Sequence, residues 1–367
     1  MTAFAAIIFL FAASCENHPE DTGGLFYYSE SDGSKEKVKT TADWEKKRQQ
    51  ILEGMEEAMG ELPSFSDLPV FNLKIQDSVK EGLYMRYTIH FSVAEDETLP
   101  AYLYVPHKAD IERKFPAILA LHGTGELGKQ LVDGKSPQAN RALAKELAER
   151  GYVVIAPDYP SMGELLDYNF ETDRYVSATM KAIFNHMRCV DLLQSRPDVD
   201  PERIGVIGHS LGGHNAMFVG AFDPRLKVIV ASCGWTLMDY YDIGEEGSKK
   251  YGGRLGPWAQ DRYMPSLRDK YELDGDRFPF DFDGVIAALA PRHFFSNSPV
   301  NDSNFDVDGV REGLATASEV YRFMGAEKNL QVRYPDAGHD FPKEVRSEAY
   351  RFIDTVFGHR PNDQEIE

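Results

Sequence analysis

Apolar residues along this chain switch between two spacings, and the switches mark its elements. From residue 41 they recur every three to four positions. Trp44, Ile51, Leu52, Met55 and Met59 share one helical face, and Leu62-Pro63 ends that helix. From about residue 83 the spacing becomes two. Residues 83–93 read as a strand, and Leu99, Ala101, Leu103 and Val105 alternate with Tyr102 and Tyr104 in the next. Beyond residue 115 short apolar runs alternate with amphipathic stretches. Strands are predicted over 117–121, 152–156, 204–207, 227–232, 293–296 and 330–334. A helix starts at Ser136-Pro137, with serine as its cap and proline in its first turn, and Gly151 closes it. Later helices follow the stripe Val176, Met180, Ile183, Met187 and Val190, residues 211–222, the stripe Leu314, Ala317, Val320 and Met324, and residues 345–357.

Short strands that are apolar throughout, each followed by an amphipathic helix, imply a parallel sheet covered on both faces. The expected class is therefore α/β, with a mostly parallel central sheet and helices on both sides. After the sixth predicted strand the alternation lapses over 235–284, a long aromatic stretch of mixed charge that reads as an inserted cap. The main domain is expected over 80–360, with a helical extension over 41–79 ahead of it. No internal repeat is evident.

The beginning of the chain differs in kind. Residues 1–14 carry no charge, and the apolar run 3–13 suits a signal-peptide core but is too short to span a bilayer. Ala12-Ala13-Ser14-Cys15 resembles the lipobox of bacterial lipoproteins, although no Lys or Arg precedes the run and no Leu stands three residues before Cys15. The resemblance implies export and lipidation at Cys15, in the periplasm or on the outer membrane of a bacterium. Residues 15–40 are polar and poor in aliphatics, and read as a flexible tether. Cys189 and Cys233 are too few for a disulfide framework and read as small buried residues.

A formal net charge of −19 repels phosphate backbones, which argues against nucleic acid as a partner. There is no H-E-x-x-H, no paired C-x-x-C, no dinucleotide fingerprint and no P-loop. Neither a metal nor another cofactor is expected.

Gly208-His209-Ser210-Leu211-Gly212 matches G-x-S-x-G and sits between the predicted strand 204–207 and the helix that follows. That is the strand–turn–helix a nucleophile elbow needs. The glycines flank a turn where side chains would collide, and Gly213 gives the helix room to approach the sheet. A serine hydroxyl needs a base at neutral pH. His339, in Asp336-Ala337-Gly338-His339-Asp340, follows strand 330–334 at the edge where ligands bind in open α/β sheets. The alternatives fit less well. His209 is expected to point away from the site, His214 and His186 lie on helices, and His293 is at the wrong edge. The carboxylate that orients the base is expected to be Asp302, after strand 293–296, with Asp306, Asp308 and Asp239 as alternatives. Oxyanion donors are expected from the backbone N–H groups of Leu211 and of Thr124, in His122-Gly123-Thr124-Gly125.

The Leu-His-Gly loop, the Gly208–Gly213 turn and Asp336-Ala337-Gly338-His339 together resemble the α/β-hydrolase superfamily. Ala156-Pro157-Asp158-Tyr159-Pro160 and Ala290-Pro291-Arg292 are similar to its dienelactone-hydrolase and acetyl-xylan-esterase-like branch. Dienelactone hydrolases proper use cysteine as nucleophile, so their substrate is not carried over. The resemblance implies the α/β-hydrolase fold and ester hydrolysis through an acyl-enzyme. Trp235, Tyr240, Tyr241, Trp258 and Tyr263 crowd the insertion, with Arg254, Arg262, Lys249 and Lys250 among them. Trp235, Tyr240, Trp258 and Arg262 are the expected substrate contacts, suited to an acylated, chiefly acetylated, carbohydrate. The rival readings are a uronate methyl-esterase, a peptidase of the prolyl-oligopeptidase kind, and an inactive fold that binds glycan as a lipoprotein.

Overall fold

The structure is a computed structural model that describes residues 24–107 and 114–362. The expected leader over 1–14 and lipidation at Cys15 lie outside them. Among the described residues, those over 24–47 form one compact unit and those from Arg48 another. In the first, β1 (Tyr27–Ser29) pairs antiparallel with β2 (Lys35–Lys37), so the described part of the expected tether is a hairpin. Its apolar anchors are sparse, but Tyr28 and Val38 are both buried. Helix α1 (Thr41–Met59) begins with a reciprocal cap: Asp43 accepts from the Thr40 N–H at 2.8 Å, and the Asp43 N–H donates to the Thr40 hydroxyl.

The second unit is built on a nine-stranded sheet in the order β11-β10-β9-β8-β6-β7-β5-β4-β3. Strands β3 (Lys74–Lys80), β4 (Tyr84–Ala94) and β5 (Glu97–Pro106) form an antiparallel meander, and β5 joins β7 antiparallel. The remaining strands, β6 (Phe115–Leu121), β7 (Val153–Pro157), β8 (Val199–His209), β9 (Leu226–Ser232), β10 (His293–Asn297) and β11 (Leu330–Arg333), run parallel. Helices α2 (Leu143–Glu149), α3 (Ala178–Ser195), α4 (Leu211–Phe222), α7 (Phe282–Ala287), α8 (Val307–Phe323) and α9 (Lys343–Phe357) follow them in alternation. The mixed sheet with interleaved helices is the α/β architecture read from the sequence. Among the described residues, no helix is long and apolar enough to cross a membrane.

Two boundaries differ from expectation. Strand β3 lies inside the expected helical extension. Its sequence KIQDSVK is exposed almost throughout, as a charged edge strand should be, so it carries no alternating signal. The insertion therefore follows the seventh strand of this sheet, not the sixth. The helix expected from Ser136 starts only at Leu143. Asn140 takes a left-handed φ of 62°, and its side chain and that of Arg141 turn away to bind Asp340 instead of continuing a helix.

Helix α4 is apolar apart from His214 and Asn215, and the run 211–221 is buried throughout. That is how a helix enclosed between sheet and neighbouring helices reads. The chain steps from β6 to β7 on one side, then crosses to β8 on the other. The loops after β6 and β8 thus open together at the carboxyl edge, where such sheets place their sites. The insertion contains the short helices α5 (Gly244–Tyr251) and α6 (Ser266–Asp269).

Asp281 ties the far end of this insertion down by accepting from the N–H groups of Phe282 at 2.6 Å and Met238 at 3.1 Å. Burial nevertheless pushes its carboxyl up to about 7, outweighing those donors. A carboxyl held above its unfolded value of about 3.9 contributes fully to stability below that value and loses the contribution as pH rises through 7. Asp281→Asn, which cannot ionise, is expected to gain stability relative to the native chain between pH 5 and pH 8. Thermal melts at the two pH values check this; an equal offset at both contradicts it.

Candidate active site

Strand β8 ends at His209 and α4 begins at Leu211, so one residue makes the whole turn. Ser210 takes φ 56° and ψ −123°, a conformation that L-residues rarely adopt. Close packing permits it. A Cβ at Gly208 would meet the Gly212 carbonyl oxygen at 2.1 Å, and one at Gly212 would meet that of Leu121 at 2.1 Å. The Ser210 N–H donates to the Ser232 carbonyl at 2.8 Å, which pins the turn to β9.

His339 comes from the loop after β11, and Asp302 from the loop after β10. These loops are zipped together: the Asn301 N–H donates to the Ala337 carbonyl at 3.1 Å, and its side-chain amide donates to Asp336 at 2.8 Å. The His339 Nδ1 then lies 2.9 and 3.0 Å from the two Asp302 oxygens. The Asp302 side chain is 1% exposed and that of His339 22%, so the carboxylate is shielded while the imidazole faces the site. The Asn304 N–H also donates to Asp302, at 2.8 Å. The other carboxylates considered lie elsewhere. Asp306 caps α8, Asp308 pairs with Arg311, and Asp239 is exposed beside Arg254.

From outside, Arg141 holds the His339 loop by donating to Asp340 at 2.6 Å and to the His339 carbonyl at 2.9 Å. Beneath it, Asn297 donates to the Asp340 carbonyl at 2.8 Å and to the Ser232 hydroxyl at 2.9 Å. His209 corrects an expectation. Its ring is 4.9 Å from that of His339 and lines the same cavity. Burial holds it well below the usual imidazole range, and Arg141 and His339 add to this. Its Nδ1 contacts the Ser232 hydroxyl at 2.9 Å. Phe305 flanks His339 at 5.9 Å.

The loop after β6 passes beside Ser210: a Cβ at Gly123 would stand 3.5 Å from that of the serine. Buried His122 organises it, with Nδ1 at 2.7 Å from the Gly123 carbonyl and Nε2 accepting from the Tyr159 N–H at 3.2 Å. Thr124 bonds through its hydroxyl to that of Tyr263 in the insertion, at 2.9 Å. Further along, the ammonium of Lys129 reaches Asp158 and Glu164, each at 2.5 Å, which locks the loops after β6 and β7 together.

Two cavities meet at Ser210, with Thr124 and Asn304 on both. The larger, about 390 Å³, is lined by His339, His209, Arg141, Gln138 and Ser136 beside apolar Leu121, Leu131, Val132 and Leu143. The smaller, about 180 Å³, includes Leu211 and is walled by Tyr241, Tyr251, Trp258, Tyr263 and Phe305. Of the expected substrate contacts only Trp258 lines either of these two cavities. Trp235 is buried and donates to Ser296, because its indole fills the core. Tyr240 lies away from the site and donates to Glu312. Arg262 lines neither cavity, although its carbonyl accepts from Tyr159. Nor does any other basic residue of the insertion. Arg254, for example, turns inward to the Tyr241 carbonyl at 3.0 Å. Asn304 and Phe305 were not anticipated, and Arg141 gave no signal because its partner is almost 200 residues away.

Among the described residues, Cys233, Asp302 and His339 are the group dense enough to hold a metal ion, their ligand atoms lying within 4.8 Å of one another. Those atoms are committed to each other and to the backbone. Burial pushes the Cys233 thiol well up, and it donates to the Asp340 carbonyl at 3.1 Å. His339 spends Nδ1 on Asp302. The arrangement suits proton transfer at the other imidazole nitrogen.

Residues 118–350 match the sequence profile described as the alpha/beta hydrolase family. The chain belongs to that family. As an alpha/beta hydrolase it is similar to the protein YtaP of Bacillus subtilis, 28% identical over 80% of this chain and 95% of that protein. It is also similar to the carbohydrate esterase MZ0003 from an unknown prokaryote, at 24% over 82% of this chain and 78% of the other. Among solved structures, the glucuronoyl esterase of Solibacter usitatus shares the fold with a TM-score of 0.68. It is 21% identical and covers 91% of this chain and 97% of its own.

The hydrolase elbow has no slack at Gly212. Gly212→Ala is expected to destabilise the chain by at least about 3 kcal/mol, since its methyl would overlap main-chain atoms that cannot move aside. Urea unfolding measures this; a loss below about 1 kcal/mol contradicts the packing described.

Proposed function

We propose that this chain is a serine carboxylic-ester hydrolase acting on acylated carbohydrate. The observation that carries the reading is the His339 imidazole, oriented by a buried carboxylate and lining one cavity with a serine on a strained strand–helix turn. In the proposed reaction the Ser210 hydroxyl attacks the ester carbonyl, and its proton passes to His339 Nε2. Asp302 holds the imidazole tautomer and stabilises the imidazolium. The N–H groups of Leu211 and Thr124 receive the charge that develops on the carbonyl oxygen. Collapse breaks the bond to the alcohol oxygen, which takes the proton from His339. Water then repeats the sequence on the acyl-enzyme and releases the acid.

The likeness to the carbohydrate esterase MZ0003 supports the choice of substrate class. A second reading, hydrolysis of a uronoyl ester, draws support from the shared fold of the Solibacter usitatus glucuronoyl esterase. Methanol released from methyl glucuronate, faster than acid from an acetylated sugar, favours it.

Ser210→Ala is expected to lose at least about 10⁴-fold in kcat/KM on 4-nitrophenyl acetate, and Asp302→Asn about 10⁴-fold in kcat through the wrong imidazole tautomer. Activity of Ser210→Ala near that of the native chain removes the proposal.

A further inference from the structure

The two cavities at Ser210 differ in which catalytic group each contains, and that difference assigns the two halves of an ester. This argument rests on the hydrolase mechanism just proposed. When the tetrahedral adduct collapses, the alcohol oxygen must take its proton from the imidazole, so the alcohol lies on the side of His339. His339 lines the 390 Å³ cavity and not the 180 Å³ one. The carbonyl oxygen is committed to the N–H groups of Leu211 and Thr124. The acyl substituent takes the direction that remains, into the smaller cavity.

That smaller cavity is specific in shape and chemistry. No charged side chain lines it. Its volume is somewhat above the roughly 150 Å³ void that accepts a benzene molecule in a protein core. An acetyl group would leave most of it empty. The wall rings meet at steep angles: Tyr241 with Trp258 at 51°, Trp258 with Tyr263 at 65°, Trp258 with Phe305 at 46°. An added ring finds edge-to-face partners in such a set. The same rings make a poor platform for a sugar. Trp258 is 8% exposed, with one face stacked on His214 at 4.2 Å, and Tyr241, Tyr263 and Phe305 are buried as deeply. Stacking on a pyranose needs an open ring face, and these rings form a slot.

We infer that the smaller cavity is an acyl subsite for a carboxylic acid bearing a single aromatic ring, and that the larger cavity, which carries His339 and Arg141, receives the alcohol. The preferred substrate is thus an arylcarboxylic or cinnamic ester of a sugar hydroxyl, not an acetate. Ile243, partly exposed on the wall of the acyl subsite, and Gln138, on the wall of the alcohol side, separate the two roles.

The test uses the whole chain and four esters: 4-nitrophenyl acetate, 4-nitrophenyl cinnamate, methyl cinnamate and methyl glucuronate. Rates are normalised to alkaline hydrolysis of each. The native chain is expected to favour cinnamate over acetate by at least about 10-fold in kcat/KM, the discrimination a filled apolar pocket supplies. Ile243→Trp should erase that preference and slow hydrolysis of the cinnamoyl-enzyme equally from either cinnamate. Gln138→Trp should leave the acyl preference in place and alter the preference between the two alcohols. Preference for acetate, an acyl preference that follows Gln138 instead of Ile243, or methyl glucuronate as the best substrate overturns the assignment while leaving an esterase. Absence of turnover on all four removes the esterase reading and this subsite with it.

Discussion

Everything at the site depends on how closely α4 can approach the ends of β6 and β8. With Cβ positions at 208 and 212 each about 2 Å from a carbonyl oxygen, only glycine lets the helix start directly after the strand. The approach forces Ser210 into a conformation that costs on the order of 1–3 kcal/mol. That cost is borne by burial on all sides of α4 and by the apolar strands beneath it. In return the serine alone makes the turn between strand and helix, and the loop after β6 passes beside it at Gly123. The proposed nucleophile and one proposed oxyanion donor thus come from one turn.

The imidazole needs a different solution, because a loop residue has no helix or strand to fix it. Here two loops brace each other through Asn301, and the base loop is gripped from both sides by Arg141 and Asn297. Arg141 arrives from the segment where a helix was expected, and the failure of that helix is what frees it to reach Asp340. A catalytic geometry held to within about half an ångström needs such supporting contacts, since a loose base forfeits most of its advantage.

The sequence made the alternation of strands and helices legible, because buried parallel strands are apolar throughout and their helices are striped. The elbow was legible for the same reason that it works: glycine spacing records steric conflict directly. Asp302 and His339 followed from their positions after β10 and β11. Edge strand β3 escaped because a solvated strand has no apolar face to announce it. The substrate contacts fared worst. Aromatic residues in an insertion look alike in sequence whether they wall a cavity or fill a core. Only packing separates Trp258, at the cavity, from Trp235, hydrogen-bonded to Ser296 beneath it. His209 misled because neighbouring residues on a strand point to opposite faces, a rule that breaks where the strand ends in a left-handed residue.

Charge links the acyl subsite to turnover. The ester enters neutral, and a cavity without ionic side chains imposes no penalty on it. Hydrolysis turns the acyl half into a carboxylic acid whose ionised form is costly to keep in an aromatic-walled slot without a cation. A basic residue in the slot would reverse this, holding the product where the next ester must bind. The absence of charge among the residues lining the 180 Å³ cavity therefore matters as much as its rings: they favour the substrate's acyl group, and the missing cation disfavours the acid it becomes.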